Sequence, residues 1–123
     1  NVDSIPNIGT AIHLPNVLVV GALYKDLKKA DYSDYGKGVD VFAPAHFLLP
    51  LTKAYAFIDT TSSGCSAAAP LVANLAIQLF ALEPKLTTLK AKHLIIAGAD
   101  KEPYEKGVNI INPRKSVALL ERN

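Results

Sequence analysis

The sequence has little cysteine, little net charge and no uninterrupted apolar run of membrane length. Its one cysteine, Cys65, excludes an internal disulfide and a cysteine-rich zinc site. Thirteen basic and eleven acidic residues leave a net charge of +2, too little to predict a nucleic-acid or membrane-surface partner. Asn74 and Gln78 interrupt the most apolar stretch, so no membrane span is expected. No basic-then-apolar signal precedes the first strand, and the start at Asn1 without methionine is typical of a processed or excised piece.

Half of the 123 residues are hydrophobic, enough for the packed core of one domain. Short apolar runs predict strands at residues 17–23, 39–43, 54–58 and 108–111, the first of them buried on both faces of a parallel sheet. Thr87 or Thr88 is expected to cap a helix that Gly98 stops, and Asn112–Pro113 to begin a last helix through Leu120. This alternation of strands and helices predicts an α/β fold with some parallel pairing.

Residues 67–82 are apolar on almost every side, which predicts a helix buried in the middle of a domain. Proline lacks the N–H group that a helix interior needs, so Pro70 is expected in the first turn. The helix should therefore begin at about Ser66 and end at Glu83–Pro84.

A polar run, TTSSGCS at residues 60–66, leads directly into this helix. Ser66 would then lie where free N–H groups and the positive end of the helix dipole converge. Acyl transfer needs such a place, with a nucleophilic hydroxyl beside backbone donors, but this position taken alone favours an ordinary serine cap. A phosphate loop is excluded because no Gly-Lys-Ser/Thr follows. The lipase-type Gly-x-Ser-x-Gly elbow is excluded because Ala68 stands at its second glycine.

The residues around Ser66 resemble the serine motif GTSMAxPHVA of the subtilisin-like proteases, the subtilases. The matching stretch is GCSAAAPLVA at residues 64–73. Four further stretches resemble family motifs in the right order: PNVLVVGA at 15–22, YSDYG at 32–36 (family FSNxG), VDVFAPA at 39–45 (family VDVxAPG) and GVNIINP at 107–113. The resemblance thus covers nearly the whole chain.

The resemblance implies that residues 1–123 are the C-terminal part of a subtilisin-like catalytic domain. This is a three-layer fold with a mainly parallel sheet and a central buried helix that starts at the nucleophile. It makes Ser66 the nucleophile and the Ser66 N–H an oxyanion donor, in a serine endopeptidase that acts through an acyl-enzyme. The resemblance also implies that the substrate-binding residues include Gly9, Thr10, Ala11 and Gly64. The chemistry needs no cofactor, and the resemblance adds structural calcium without assigning its ligands.

The aspartate and histidine of the family lie upstream of the matched region. The resemblance therefore implies, as partner, an N-terminal part of the same domain that carries both residues, besides a peptide or protein substrate and a propeptide or inhibitor. It also implies a secreted or otherwise extracytoplasmic protein. Asn1 is either the oxyanion asparagine of the family or, as we favour, a residue a few positions downstream of it.

The other polar side chains receive structural roles. None of the three histidines stands in the His-Gly-Thr context of the general base, so surface or packing roles are expected for His13, His46 and His93. Turn or solvent-facing roles are expected for Asp3, Asp34, Asp40 and Asp59, with Asp40 structural as part of a strand motif.

Several residues depart from the family motifs. Cys65 replaces threonine, Ala67 methionine, Leu71 histidine, Asn74 glycine and Ala45 the glycine of Ala-Pro-Gly. Cys65 is interpreted as a small apolar residue beneath the helix start, and Leu71 and Asn74 as packing residues. These changes keep a second hypothesis open: a catalytically degenerate, protease-like domain that binds peptides or a partner. A third, an esterase on another α/β fold, is disfavoured by the ordered motifs.

Overall fold

The structure is a computed structural model that describes residues 1–4, 14–53, 56–62, 64–103 and 105–122, with the backbone alone for residues 47–62. Four strands form one sheet in the order β1-β2-β6-β5: β1 Val20–Leu23, β2 Val41–Pro44, β5 Asp100–Lys101 and β6 Asn109–Ile110. A separate antiparallel hairpin joins β3 Phe47–Lys53 to β4 Ala56–Ser62. The α-helices are α1 Cys65–Leu82, α2 Thr88–Gly98 and α3 Pro113–Glu121, and a short 3-10 helix spans Val2–Ser4.

The four-stranded sheet is mainly parallel. β1 pairs with β2 and β2 with β6 in parallel, whereas the edge strand β5 is antiparallel to β6. The α/β prediction is confirmed. Each predicted strand overlaps an observed one, although residues 54–55 lie outside the described residues, while β3 and β5 were not predicted. The strand β2 continues one residue beyond the predicted range and ends at Pro44.

The start of α1 was predicted to within one residue, but the placing of Pro70 was wrong. The helix begins at Cys65, so Pro70 falls in its second turn. The Ala67 N–H donates a 3-10-type hydrogen bond to the Gly64 carbonyl (2.9 Å), and this turn makes the helix begin one residue before Ser66. Because proline has no N–H, the Ser66 carbonyl receives no backbone bond from position 70.

Within the described residues, α1 is buried on one face only. One face packs on β1, β2 and α2, with Ala68, Val72, Leu75 and Leu79 in the main core cluster. The outward face leaves Leu71, Ile77 and Leu82 exposed at 37%, 65% and 59%. By length and composition alone α1 is apolar enough to cross a membrane, but the core helix of a soluble protein passes the same test.

The last two helices follow the predicted caps. The Thr87 side chain accepts a hydrogen bond from the Lys90 N–H at the start of α2, and Asn112 accepts one from the Lys115 N–H at the start of α3. Gly98 belongs to the last turn of α2 instead of ending it from outside. A Cβ at this position would lie 2.4 Å from the Ser116 Oγ, so close packing of α3 requires the glycine.

The face of the sheet opposite α1 carries a smaller core. Phe42 points there with Val2, Leu23, Val39 and Val108, whereas its neighbours in β2 point to α1. A Cβ on Gly21 would meet the Phe42 ring at 2.3 Å, so the glycine makes room for that ring.

The loop after β1 folds back along the outer edge of that strand. The Ala30 N–H donates to the Ala22 carbonyl (2.9 Å), and the Ala22 N–H donates to the Ser33 Oγ (2.8 Å). Both backbone groups of Ala22 on this edge are therefore paired.

Candidate active site

Ser66 is the second residue of α1, and its side chain is exposed. Helix geometry gives its N–H no acceptor within the helix, because the first four amides of a helix have no carbonyl four residues earlier to bond. The same end of α1 carries the positive pole of its dipole. An accessible hydroxyl and an N–H suited to an anionic oxygen thus come from one residue.

Gly64 caps α1 with a backbone conformation that favours glycine. Its φ is 97° and its ψ 163°, and it makes no side-chain cap. A Cβ built on it would meet no described atom within 4 Å. The glycine is needed for its backbone angle rather than for space, and the region beside it is open among the described residues.

Two consecutive residues of the loop after β1 contact the two residues that precede Ser66. The Tyr32 hydroxyl accepts a hydrogen bond from the Gly64 N–H at 3.2 Å. The Ser33 Oγ lies 3.9 Å from the Cys65 Sγ. Cys65 is half-buried and packs against the main core cluster, which agrees with the predicted small apolar role.

An aromatic cluster supports Tyr32. Tyr24 meets it edge to face, with ring centroids 6.0 Å apart, and the His46 ring lies 5.4 Å from Tyr24 and 6.0 Å from Tyr32. The His46 Nε2 is buried and has no hydrogen-bond partner in the part of the chain that the structure describes. This places His46 in a packing position, as predicted.

Of the other two histidines, His93 is exposed on α2, and His13 lies outside the described residues.

Asp40 has the structural role expected of it. Its Oδ2 accepts a hydrogen bond from the Val19 N–H (2.8 Å) and lies 3.7 Å from the Lys92 Nζ, with both charged side chains largely buried. The same ammonium donates to the Val17 carbonyl (2.7 Å) and, at 3.4 Å, to that of Leu14. These contacts fasten α2 to the beginning of β1 and β2.

Three further aspartates were given turn or solvent-facing roles. Asp3 accepts hydrogen bonds from the backbone N–H groups of Lys37 and Gly38, and Asp34 is exposed. Asp59 lies within β4 instead of in a turn, and its side chain is not among those described.

The carboxylate of Asp100 has a lowered pKa. The Lys115 ammonium and the Asn112 amide donate to its carboxylate and hold the pKa of that group below its ordinary value. The group lies on the surface between β5 and α3.

The remaining residues singled out in the sequence are exposed, buried or outside the described residues. Leu71 and Asn74, predicted as packing residues, are exposed on the outward face of α1 among the described residues, and Asn74 accepts a hydrogen bond from Gln78 (2.7 Å). Ala45 is buried. The Asn1 side chain accepts from the Asp3 N–H (3.0 Å) and caps the short 3-10 helix. The predicted substrate residues Gly9, Thr10 and Ala11 lie outside the described residues.

Within the part of the chain that the structure describes, neither a metal cluster nor a groove near the end of α1 indicates a second centre. Among the described residues, no three histidine, cysteine or acidic side chains are grouped as a metal site would need, so calcium is assigned to no residue here. A groove of about 710 Å³ is lined by Leu82, Leu86 and Leu120. Leu82 is sixteen residues after Ser66 along α1, about 24 Å away, so this groove is separate from the candidate site.

The contact that sequence reasoning missed is the one from Tyr32 to Gly64. The two residues are 32 positions apart, and no periodicity or motif connects them. The one available signal was that a tyrosine stands in the YSDYG stretch where the family motif has phenylalanine.

Comparison with known proteins agrees with the motif order. Residues 4–114 match the model of the subtilase family. The chain is 38% identical over 88 residues to alkaline protease 1 of Aspergillus clavatus, covering 68% of this chain and 22% of that protein. It is 33% identical over 109 residues to subtilisin-like protease 2 of Trichophyton verrucosum, covering 82% of this chain and 26% of that protein.

A solved protease from Pseudoalteromonas arctica has the same fold. It superposes with a TM-score of 0.76 at 21% identity, over 91% of this chain and 38% of its own. The chain spans about a quarter of the length of the curated relatives. The α/β arrangement is thus the predicted portion of the subtilisin-like fold, and the chain belongs to the subtilase family.

Proposed function

We propose that this chain supplies the nucleophile of a subtilisin-like serine endopeptidase, and that Ser66 is that nucleophile. The observation that carries the proposal is the exposed hydroxyl of Ser66 at the start of α1, inside a stretch that matches the family's serine motif. Gly64, two residues earlier, leaves open space on the approach to the hydroxyl, where a peptide would lie. Gly9, Thr10 and Ala11 remain the predicted wall of the substrate pocket.

The general base and its orienting carboxylate come, in this proposal, from an N-terminal part of the same domain. Neither described histidine is assigned as the base in this proposal, because His46 packs against the rings of Tyr24 and Tyr32 and neither it nor His93 stands in the His-Gly-Thr motif. The outward face of α1 offers a surface for such a part, with Leu71, Ile77 and Leu82 exposed. A buried interface there would remove this apolar area from water.

In the proposed reaction, the histidine of the N-terminal part is the general base. Its imidazole takes the proton of the Ser66 hydroxyl as the oxygen attacks the peptide carbonyl. The resulting oxyanion accepts a hydrogen bond from the Ser66 N–H, near the positive end of the helix dipole. The imidazolium returns the proton to the leaving amine, which leaves an acyl-enzyme on Ser66. Water, deprotonated by the same imidazole, hydrolyses this ester and releases the acid product.

The implied context is a secreted or otherwise extracytoplasmic protease that acts on proteins or peptides. A propeptide or inhibitor would occupy the same substrate cleft before activation. No step in this chain's chemistry requires a cofactor.

A degenerate, peptide-binding domain is the second candidate. The observation that favours it is the set of motif changes close to Ser66, with Cys65 for threonine and Ala67 for methionine. Ala67 lies in the core and the half-buried Cys65 packs against it, and neither change removes the serine hydroxyl. We therefore place catalysis first.

Labelling of the complete protein with a fluorophosphonate tests the assignment. The wild type should be labelled and should cleave a peptide substrate, whereas Ser66→Ala should lose the label and at least about 10³-fold in kcat. Ser4→Ala, at another exposed serine, is the matched control and should keep both. Label retained in Ser66→Ala would contradict the nucleophile, and peptide binding without label or cleavage in the wild type would favour the degenerate domain.

A further inference from the structure

Residues 32 and 33 join the start of α1 to β1. The Tyr32 hydroxyl holds the Gly64 N–H (3.2 Å), and the Ser33 Oγ lies against the Cys65 Sγ (3.9 Å). The same Ser33 Oγ accepts from the Ala22 N–H (2.8 Å) in β1 and donates to the Asp34 carbonyl (2.9 Å). The segment just before Ser66 is therefore fastened, through two consecutive side chains, to a strand of the central sheet.

Gly64 is the residue that most needs this support. It makes no side-chain cap for α1, and a glycine at a φ of 97° has more alternative conformations than any other residue would. A rotation of its peptide would move the following residues, which carry the Ser66 hydroxyl and N–H. One hydrogen bond to the Gly64 N–H removes part of that freedom.

Tyr32 is itself well supported for such a role. Its ring meets Tyr24 at an interplanar angle of 87°, an edge-to-face contact, and the His46 ring closes the cluster. The Tyr24 hydroxyl in turn accepts from the Asp31 N–H (3.2 Å), next to Tyr32 in the chain. The hydroxyl of Tyr32 is thus held in place by packing on the ring that carries it.

We propose that Tyr32 is a positioning residue for the reaction, acting through Gly64 on the orientation of Ser66. The inference rests on the proposed function of Ser66. The hydroxyl does not touch the reacting atoms, so its contribution lies in the precision with which the serine hydroxyl and N–H face the peptide carbonyl. The family motif has phenylalanine at this place, and the hydroxyl is therefore a feature that this chain adds to the motif.

The substitution Tyr32→Phe tests the proposal in the complete protein, because it removes one oxygen and keeps the ring. Poor orientation of a catalytic group raises the barrier of the chemical step. We expect kcat to fall about 5- to 50-fold, with KM changed less than about 2-fold, and the rate of fluorophosphonate labelling to fall in parallel with kcat. The midpoint of thermal unfolding should change little.

Tyr35→Phe is the matched control. This tyrosine is three positions away and similarly exposed, but its ring lies over the Lys29 ammonium (5.2 Å) instead of facing α1. It should keep the wild-type kcat and labelling rate. An equal loss in both variants would overturn the proposal, as would an unchanged kcat in Tyr32→Phe.

Two further measurements separate the alternatives. If Tyr32→Phe lowers the unfolding temperature, kcat is measured again well below the new midpoint, and recovery of wild-type kcat there would overturn the positioning role. Ser66→Ala is assayed in parallel. An inactive Ser66→Ala beside a fully active Tyr32→Phe contradicts this inference alone, whereas an active Ser66→Ala contradicts the proposed function and the inference with it.

Discussion

Both faces of α1 are largely apolar, but one is buried in the core and the other is exposed to solvent. The inward face places Ala68, Val72, Leu75 and Leu79 in the main core, where all are less than about a tenth exposed. The outward face is also largely apolar, yet Ile77 is 65% exposed. Composition therefore shows that a residue prefers burial, and the neighbouring elements decide whether the burial occurs. An exposed apolar strip of this kind typically marks an interaction surface.

The largest expected effect comes from removing the apolar character of the outward face. We expect the 123-residue chain by itself to aggregate, and a variant with Leu71→Gln, Ile77→Gln and Leu82→Gln to remain monomeric, because the apolar contact area between copies is lost. The same triple variant in the complete protein should fail to give a stable enzyme, since its polar groups would be buried without partners. Sedimentation velocity measures the first result, and thermal unfolding with activity the second.

The control for this prediction is Asn74→Gln with Gln78→Asn, which changes the same face and keeps its polarity. It should aggregate like the wild-type chain. A wild-type chain that is monomeric and unfolds cooperatively alone would show that the outward face needs no cover.

A smaller effect is expected from the inward face. Leu79→Ala should lower the free energy of unfolding of the complete protein by about 2–5 kcal/mol, because Leu79 is fully buried and leaves a cavity. Ile77→Ala, two residues earlier on the outward face, gives the comparison. A cost of at least about 1 kcal/mol would show that this face is also covered in the complete protein, and a cost below about 0.5 kcal/mol would show that it remains in water.

The smallest effect should come from the surface ion pair between Asp100 and Lys115. Because the pKa of Asp100 is lowered in the folded state, the pair stabilises the protein above the ordinary pKa of an aspartate, and this stability is lost as the pH falls through the lowered value. Asp100→Asn should therefore lower the unfolding temperature slightly at pH 7 and not at all at low pH. Thermal melts across that range measure the difference.

Salt provides the control for this last prediction. The pair is exposed to solvent, so about 1 M salt should remove most of the difference between Asp100→Asn and the wild type. A difference that is independent of both pH and salt would assign it to the Asn112 hydrogen bond instead.

Local signals in the sequence predicted the helices well. Thr87, Asn112 and Pro113 act within one turn of their own positions, so their caps could be identified without knowledge of the fold. The start of α1 was located to within one residue from Pro70, although this proline lies in the second turn and not in the first. The ordered family motifs then supplied the fold class and the candidate nucleophile.

The features that were missed depend on distant contacts. Gly98 had the position of a helix stop, but the close approach of Ser116 is the reason for a glycine there. The strand β3 contains Pro50, which argues against a strand until its antiparallel partner β4 is known. The contact of Tyr32 with Gly64 likewise exists only after the chain has folded.

The fold-back at Ala22 has a consequence for how this chain can associate. With the N–H and carbonyl of Ala22 already bonded to Ser33 and Ala30, a foreign strand finds no free hydrogen-bonding groups at that register. The opposite edge strand, β5, is only two residues long and carries Lys101, a charge that discourages strand addition. Addition of a foreign strand at the two edges of the four-stranded sheet is therefore disfavoured.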